Sequence, residues 1–200
     1  MNKKKIIELL QERLGEIDGK YYQVVEGYAT QAWQQLLHDV YRKDVNGLDF
    51  YAKEFSGVSK ITVVKDEYRN LYYSAFPCPI VQFPDKSAGI IDISTEQATA
   101  LEFCPCTYRD FMLKNTQTSD TLDTDIIYFV PRYDKVWYDR TMTDLIAGYG
   151  VRMLLVPSFD YYSETEELPI PGGQAQMFVN MVLEFARGKP PEILLNTNKI

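Results

Sequence analysis

Asp125-Ile126-Ile127-Tyr128-Phe129-Val130 is followed, after a short link, by Lys135-Val136-Trp137-Tyr138. Both runs are brief and rich in β-branched and aromatic residues, the composition of sheet strands. Similar runs lie on either side: Leu48-Asp49-Phe50-Tyr51-Ala52-Lys53, Ser59-Lys60-Ile61-Thr62-Val63-Val64, Asn70-Leu71-Tyr72-Tyr73, Ile80-Val81-Gln82-Phe83, Gly89-Ile90-Ile91-Asp92-Ile93 and Val151-Arg152-Met153-Leu154-Leu155-Val156. Few helical stretches separate them. Parallel pairing needs long crossovers, so the expected arrangement is antiparallel, as a β-sandwich or a partly closed barrel.

Outside this region the period changes. Ile6, Leu9, Leu10 and Leu14 recur at helical spacing over Lys3 to Leu14, with Gly15 placed as a helix-ending glycine. Beyond Asp18-Gly19, the stripe Val25, Ala29, Ala32, Leu36 and Val40, widened by Trp33 and Leu37, predicts a helix of about five turns over Tyr21 to Tyr41. These two make an N-terminal helical hairpin, ended by the turn signal Asp44-Val45-Asn46-Gly47. Near the other end Phe178, Met181, Val182 and Phe185 predict a third long helix, closed by Gly188 and followed by Pro190-Pro191. The fold class is therefore α+β: an N-terminal hairpin and a C-terminal helix packed with the β region.

As one structural unit, the chain divides into the hairpin (1–47), the β domain (48–168), the returning helix (169–188) and an extended tail (189–200). Ser94 to Phe103 and Thr141 to Ala147 fit helix and non-helix equally. Asn115 to Thr124, with Leu122 its one large apolar residue, reads as a surface loop. In the tail, Ile193-Leu194-Leu195 has no partner left in sequence, and is expected to fray or to dock on another surface.

Two hundred residues can bury about 70 % of the surface exposed by the unfolded chain, so one core needs no metal or disulfide. The composition is globular, with 46 % apolar and 24 % charged residues, but it includes 15 tyrosines. A net charge of -7 disfavours salt-sensitive gripping of nucleic acid. No run approaches the roughly 20 apolar residues of a membrane span, and the start lacks the apolar stretch of a secretory signal, so synthesis in the cytoplasm without membrane insertion is expected. Cys78, Cys104 and Cys106 read as free thiols.

Catalytic patterns are missing from the sequence: there is no phosphate-binding loop, no His-Glu-x-x-His, no nucleophile elbow and no Cys-x-x-Cys. His38 is the single histidine and lies on a helix, where a packing or surface role is the ordinary one. Cys104-Pro105-Cys106 with Cys78 and His38 totals four zinc-type ligands, but the spacing fits no familiar knuckle. Gly148-Tyr149-Gly150 precedes a strand and reads as a turn, not a dinucleotide loop. Asp160, Glu164, Glu166 and Glu167 lack the ligand order of a calcium loop and read as a solvated acidic stretch. No catalytic residue, metal ligand or cofactor is expected.

Paired aromatics are more informative. In Tyr21-Tyr22, Tyr72-Tyr73, Trp137-Tyr138 and Tyr161-Tyr162, neighbours on a strand point to opposite faces, so one of each pair enters the sheet's core and the other is expected to be exposed or covered by something else. Tyrosine and tryptophan are enriched at protein interfaces. The candidate interface residues are accordingly Trp137, Tyr138, Tyr161 and Tyr162, with Ile193, Leu194 and Leu195 of the tail. Sugar stacking would use the same rings, which keeps open an aromatic-rich β-sandwich binding module for a glycan or another protein. An enzyme hydrolysing through a metal at the carboxylates near Asp160 is a third alternative.

The closing third carries a family resemblance. Tyr149-Gly-Val-Arg-Met-Leu-Leu-Val-Pro-Ser-Phe-Asp160, then Glu167-Leu-Pro-Ile-Pro-Gly-Gly173, a helix, and Gly188-Lys-Pro-Pro-Glu-Ile-Leu-Leu-Asn196 resemble head-to-tail ring, or adaptor, proteins of crAss-like phages that infect Bacteroides. The layout of terminal helices around a β domain is also similar to the adaptors of short-tailed phages. The resemblance implies a structural protein of the virion neck without catalysis or cofactor. It implies a twelve-fold homo-oligomeric ring that docks on the portal protein, meets other neck or tail rings, and lets DNA pass without sequence-specific binding. Assembly in the host cytoplasm and residence at the head-tail junction follow from it.

Overall fold

The computed structural model describes residues 1–14, 21–57, 61–84, 89–97, 99–116 and 125–188. The chain forms two compact units, one of Met1–Lys43 with the chain from Ser158 onward, the other of Asp44–Pro157. Their boundaries fall at 43/44 and 157/158, where the sequence reading puts them at 47/48 and 168/169. Among the described residues no helix is long and apolar enough to cross a membrane.

The first unit packs α1 (Lys3–Leu14), α2 (Tyr21–Lys43) and α5 (Ala175–Ala186) together. Asn2 starts α1, its Oδ1 accepting from Lys5 N at 2.9 Å. Ile6, Ile7 and Leu10 are buried, so Ile7 takes the place expected for Leu9. On α2 the buried stripe is Val25, Ala29, Ala32, Trp33, Leu36 and Leu37, with Val40 half-buried at its end. On α5 it is Phe178, Val179, Val182 and Leu183, a face turned from the expected one, with Met181 and Phe185 half-buried. Trp33 sits at the centre, its ring 5.9 Å from Tyr162, 6.1 Å from Phe178 and 6.4 Å from Phe159. Lys3 is buried beside these rings, ion-paired with Glu26 and 5.1 Å from the Phe159 centroid. Gly188, at φ 67°, ends the last helix in the left-handed conformation a glycine adopts without strain. The hairpin turn at Gly15 and Asp18-Gly19 lies outside the described residues, as does the tail from 189 on.

The second unit holds two sheets. One has the order β1-β8-β4, antiparallel, from Lys53–Phe55, Val151–Leu155 and Ile90–Thr95. The other has the order β2-β3-β7-β6-β5, from Val63–Asp66, Leu71–Ala75, Lys135–Tyr138, Ile126–Arg132 and Glu102–Pro105. The chain is thus α+β, and the sheets do not close into a barrel, an arrangement compatible with the sandwich.

Several expectations need correction. The pairing is not wholly antiparallel: β5 and β6 are parallel, joined through α3 (Tyr108–Thr116), which the sequence reading does not anticipate. Thr107 and Asp110 explain that helix. Thr107 Oγ1 accepts from Asp110 N at 3.2 Å and donates to the Asp110 carboxylate at 2.6 Å, a reciprocal N-terminal cap. Asn115 and Thr116 therefore belong to a helix and not to a loop, while 117–124 lie outside the described residues. Leu48 to Ala52 is no strand, and only Lys53 of that run enters β1. A 3-10 helix spans Val45–Tyr51, capped by Asp44, whose side chain accepts from Asn46 N at 3.0 Å, and its three-residue period turns both Leu48 and Tyr51 inward. Ile80 to Phe83 joins neither sheet among the described residues; Ile80 bridges Pro157, and Val81 N donates to Val156 O at 3.0 Å. Pro77, Pro79 and Pro84 supply no donors around it, which prevents a longer ladder.

Ser94 and Phe103 lie in β4 and β5 and no described residue between them is helical, whereas a short α4 (Asp144–Gly148) forms, with Thr143 Oγ1 accepting from Ile146 N at 3.3 Å. Gly148 is the last residue of α4, and the expected turn is made by Tyr149 and Gly150, which lead into β8. A Cβ on Gly150, at φ 75°, would stand 3.0 Å from the Glu96 carboxyl carbon.

Candidate recognition groove

In the five-stranded sheet, register assigns every side chain to one of two faces. Tyr73 pairs with Trp137, Trp137 with Val130, and Tyr128 with Cys104, so these share a face with Leu71 and Arg132. The opposite face carries Tyr72, Ser74, Val136, Tyr138, Ile127 and Phe129, all buried. There Ser74 Oγ and Tyr138 Oη lie 2.6 Å apart, and the Tyr72 hydroxyl donates to Asp144, which pushes its pKa up to about 12.

Helix α3 covers the first face incompletely. Phe111 packs on Leu71, Val130 and Trp137, with Tyr73 and Cys106 at the margin. Asn115 fastens the helix end: its Nδ2 donates to Phe111 O at 2.9 Å and its Oδ1 accepts from Arg140 N at 3.1 Å. A nine-residue helix cannot span five strands, and a groove runs along each side of it.

The groove toward β3 and β7 has a volume of about 370 Å³. Leu71, Phe111, Val130 and Trp137 form its apolar floor, and Tyr68, Tyr108 and Met112 its walls. Three arginines, Arg69, Arg132 and Arg140, line it, and among the described residues no acidic one does. Arg69 lies 4.8 Å from the Trp137 ring centroid, and Arg132 lies 4.8 Å from that of Tyr108 and 5.5 Å from that of Tyr133. Such stacking holds a guanidinium plane while leaving its N–H edges free to donate. Among the described residues no carboxylate forms an ion pair with any of the three. The β2–β3 turn is itself fixed, since Asp66 Oδ1 accepts from Tyr68 N and Arg69 N at 3.0 Å each and Asn70 takes φ 52°. The groove on the far side of α3 is larger, about 1010 Å³, and mixes Lys114 and Arg132 with Asp110.

The candidate interface residues are dispersed by the fold. Trp137 is 9 % exposed at the groove floor, and Tyr138 is buried on the other face of the sheet. Tyr162 is buried beneath Trp33, and Tyr161 is half-buried, 5.5 Å from Tyr162. At Trp137-Tyr138 the second ring is covered and not exposed, because Phe111 of α3 packs over the face that Trp137 occupies. Ile193, Leu194 and Leu195 lie outside the described residues. His38 is half-buried on α2, and Asp160 Oδ1 accepts from Thr30 Oγ1 at 3.0 Å. Burial raises the thiol pKa of Cys106 to about 11 and of Cys78 to about 12, and raises that of Cys104 too, so all three are protonated at neutral pH.

Sequence reasoning overlooks Arg69, Arg132 and Arg140. A partial signal was present in the tyrosine–arginine neighbours Tyr68-Arg69, Tyr108-Arg109 and Arg132-Tyr133, of which Tyr68, Arg69, Tyr108 and Arg132 line the groove. No protein-family model matches the chain, and no curated protein does.

Proposed function

We propose that this chain is a structural subunit of a virion, a ring or adaptor protein that joins portal to tail around the DNA path of a short-tailed phage. The observation that carries the reading is the stretch Tyr149 to Asn196, whose residues resemble those of crAss-like phage neck proteins. Its described part supplies β8, the central strand of the smaller sheet, a 3-10 turn at Phe159–Tyr161, and α5. The resembling residues therefore include framework positions of both units. Closing a ring of identical subunits requires two different patches on each copy, and an arginine-rich groove on a chain of net charge -7 supplies unlike patches. Function on this reading is mechanical: the subunit adapts one ring to the next.

The test is the native mass of the full-length chain, alone and mixed with the portal protein of the same phage, at several salt concentrations. A closed ring, or a monomer that becomes a defined multimer on the portal, is expected. A strict monomer indifferent to the portal would overturn the reading.

The groove also favours a second reading, a module that recognises another protein without forming a ring. Such a module stays monomeric in the same experiment while binding its partner one to one.

A further inference from the structure

We infer that the groove between α3 and the β3–β7 half of the sheet is a docking site for an acidic peptide segment of another protein, in which carboxylates flank one aromatic or aliphatic side chain. The inference rests on the groove alone and does not require a ring.

Charge is the first argument. Acidic residues outnumber basic ones by 28 to 21 in this chain, yet among the described residues the groove collects three arginines and no acid. They come from three separate places, the β2–β3 turn, the end of β6 and the residue just beyond β7 and Asp139. Like charges gathered without counter-charges repel one another, and a bound anion relieves that repulsion. Arginine is the side chain suited to the task, because its fork of N–H groups matches a carboxylate at two points. Arg69 and Arg132 are held by stacking on Trp137 and Tyr108, so little side-chain entropy remains to be lost on binding.

Apolar surface is the second. Tyr108 is 49 % exposed and Met112 44 %, one helical turn apart, and Tyr68 on the facing hairpin is 98 % exposed. With the floor of Leu71, Phe111 and Val130 they make a slot whose 370 Å³ is at the small end of ligand pockets, of a size for one large side chain and its flanking backbone. Arginine edges beside an apolar slot select a segment that carries both features.

Single-stranded nucleic acid is the competing ligand, and two observations disfavour it. A chain of net charge -7 repels a long polyanion. The ring at the groove floor is also a poor platform for a base, since Arg69 already covers Trp137, which is 9 % exposed.

The test titrates full-length protein with a synthetic twelve-residue peptide of Asp and Glu around a single Phe. Its amide counterpart of Asn and Gln, its Phe→Ala form and an oligothymidylate of equal charge are titrated in parallel, with calorimetry as the readout. Expected is a saturable one-to-one complex that salt weakens, that loses about tenfold or more in affinity in the Arg69→Glu/Arg140→Glu variant, and that loses a similar factor in the amide peptide. The Phe→Ala peptide is expected to bind several-fold more weakly. Arg69→Gln/Arg140→Gln serves where charge reversal disturbs folding, and circular dichroism verifies each variant. Absence of saturable binding, affinity indifferent to the arginines, or tighter binding of the oligothymidylate would each overturn the inference.

Discussion

Ser74 and Tyr138 offer a sharp test of how the five-stranded sheet is held together. Register pairs Tyr72 with Tyr138 and Ser74 with Val136, so Ser74 and Tyr138 are diagonal neighbours on one face. Both are wholly buried, and their hydroxyls meet at 2.6 Å. Burial pushes the phenol pKa well up, so the group stays neutral throughout the ordinary pH range. Ser74→Ala leaves the Tyr138 hydroxyl buried with no partner, which costs about 1–3 kcal/mol. Tyr138→Phe strands the serine instead and costs about 1–2 kcal/mol, because a small hydroxyl turns more easily toward a backbone acceptor. Removing both strands nothing. The double variant should therefore be more stable than the sum of the single effects predicts by about 1–2 kcal/mol. Urea unfolding of the four proteins at pH 7, followed by circular dichroism and tryptophan fluorescence, measures that coupling, provided the slopes agree. Additivity within about 0.5 kcal/mol would refute the claim that the two hydroxyls satisfy one another.

Two further outcomes follow from burial. Asp139 is fully buried, with one oxygen accepting from Thr141 N at 3.2 Å and the other lacking a partner, and burial raises its pKa despite the opposing backbone bonds. Its contribution to stability is then fully present below the usual carboxylate pKa and is lost as pH rises through the raised one, so Asp139→Asn should flatten the decline in urea midpoint from pH 4 to pH 7. Identical pH slopes for the two proteins would contradict this. Trp33→Ala empties the centre of the helical unit and should cost about 3–5 kcal/mol, with Trp33→Phe costing clearly less. Equal thermal midpoints for Trp33→Ala and the parent chain would show that the three surrounding rings do not depend on it.

What could be read directly from sequence was periodic and long. The stripe from Val25 to Leu37 repeats over several turns, enough for the helical period to stand above local noise, and it is the stripe the structure buries. Short elements escaped for definite reasons. Phe50 and Tyr51 give the 3-10 helix the composition of a strand, and three residues per turn is too close to a strand's two for seven residues to distinguish. Helix α3 buries only Phe111 and Asn115, so it shows no stripe, although Thr107 and Asp110 stood at capping distance. Missing α3 meant missing the parallel pairing of β5 and β6, and also the cover over Trp137. The groove was least legible of all. Arg69 lies far in the chain from Arg132 and Arg140 and becomes their neighbour only through the pairing of β3 with β7, which no local pattern encodes.

The helical unit draws α1 and α2 from one part of the chain and α5 from the far side of the whole β unit. On the ribosome this imposes a delay. At about 5–20 residues per second, the apolar stripe of α2 emerges on the order of ten seconds before Phe178 and Val182 are made. Until then Trp33 and Leu37 lack the helix that covers them, while Asp44–Pro157 can already form its own sheets. Sister chains on one message would present the same uncovered stripe together, so the yield of folded protein should fall as translation becomes more crowded and recover when a holding chaperone is supplied.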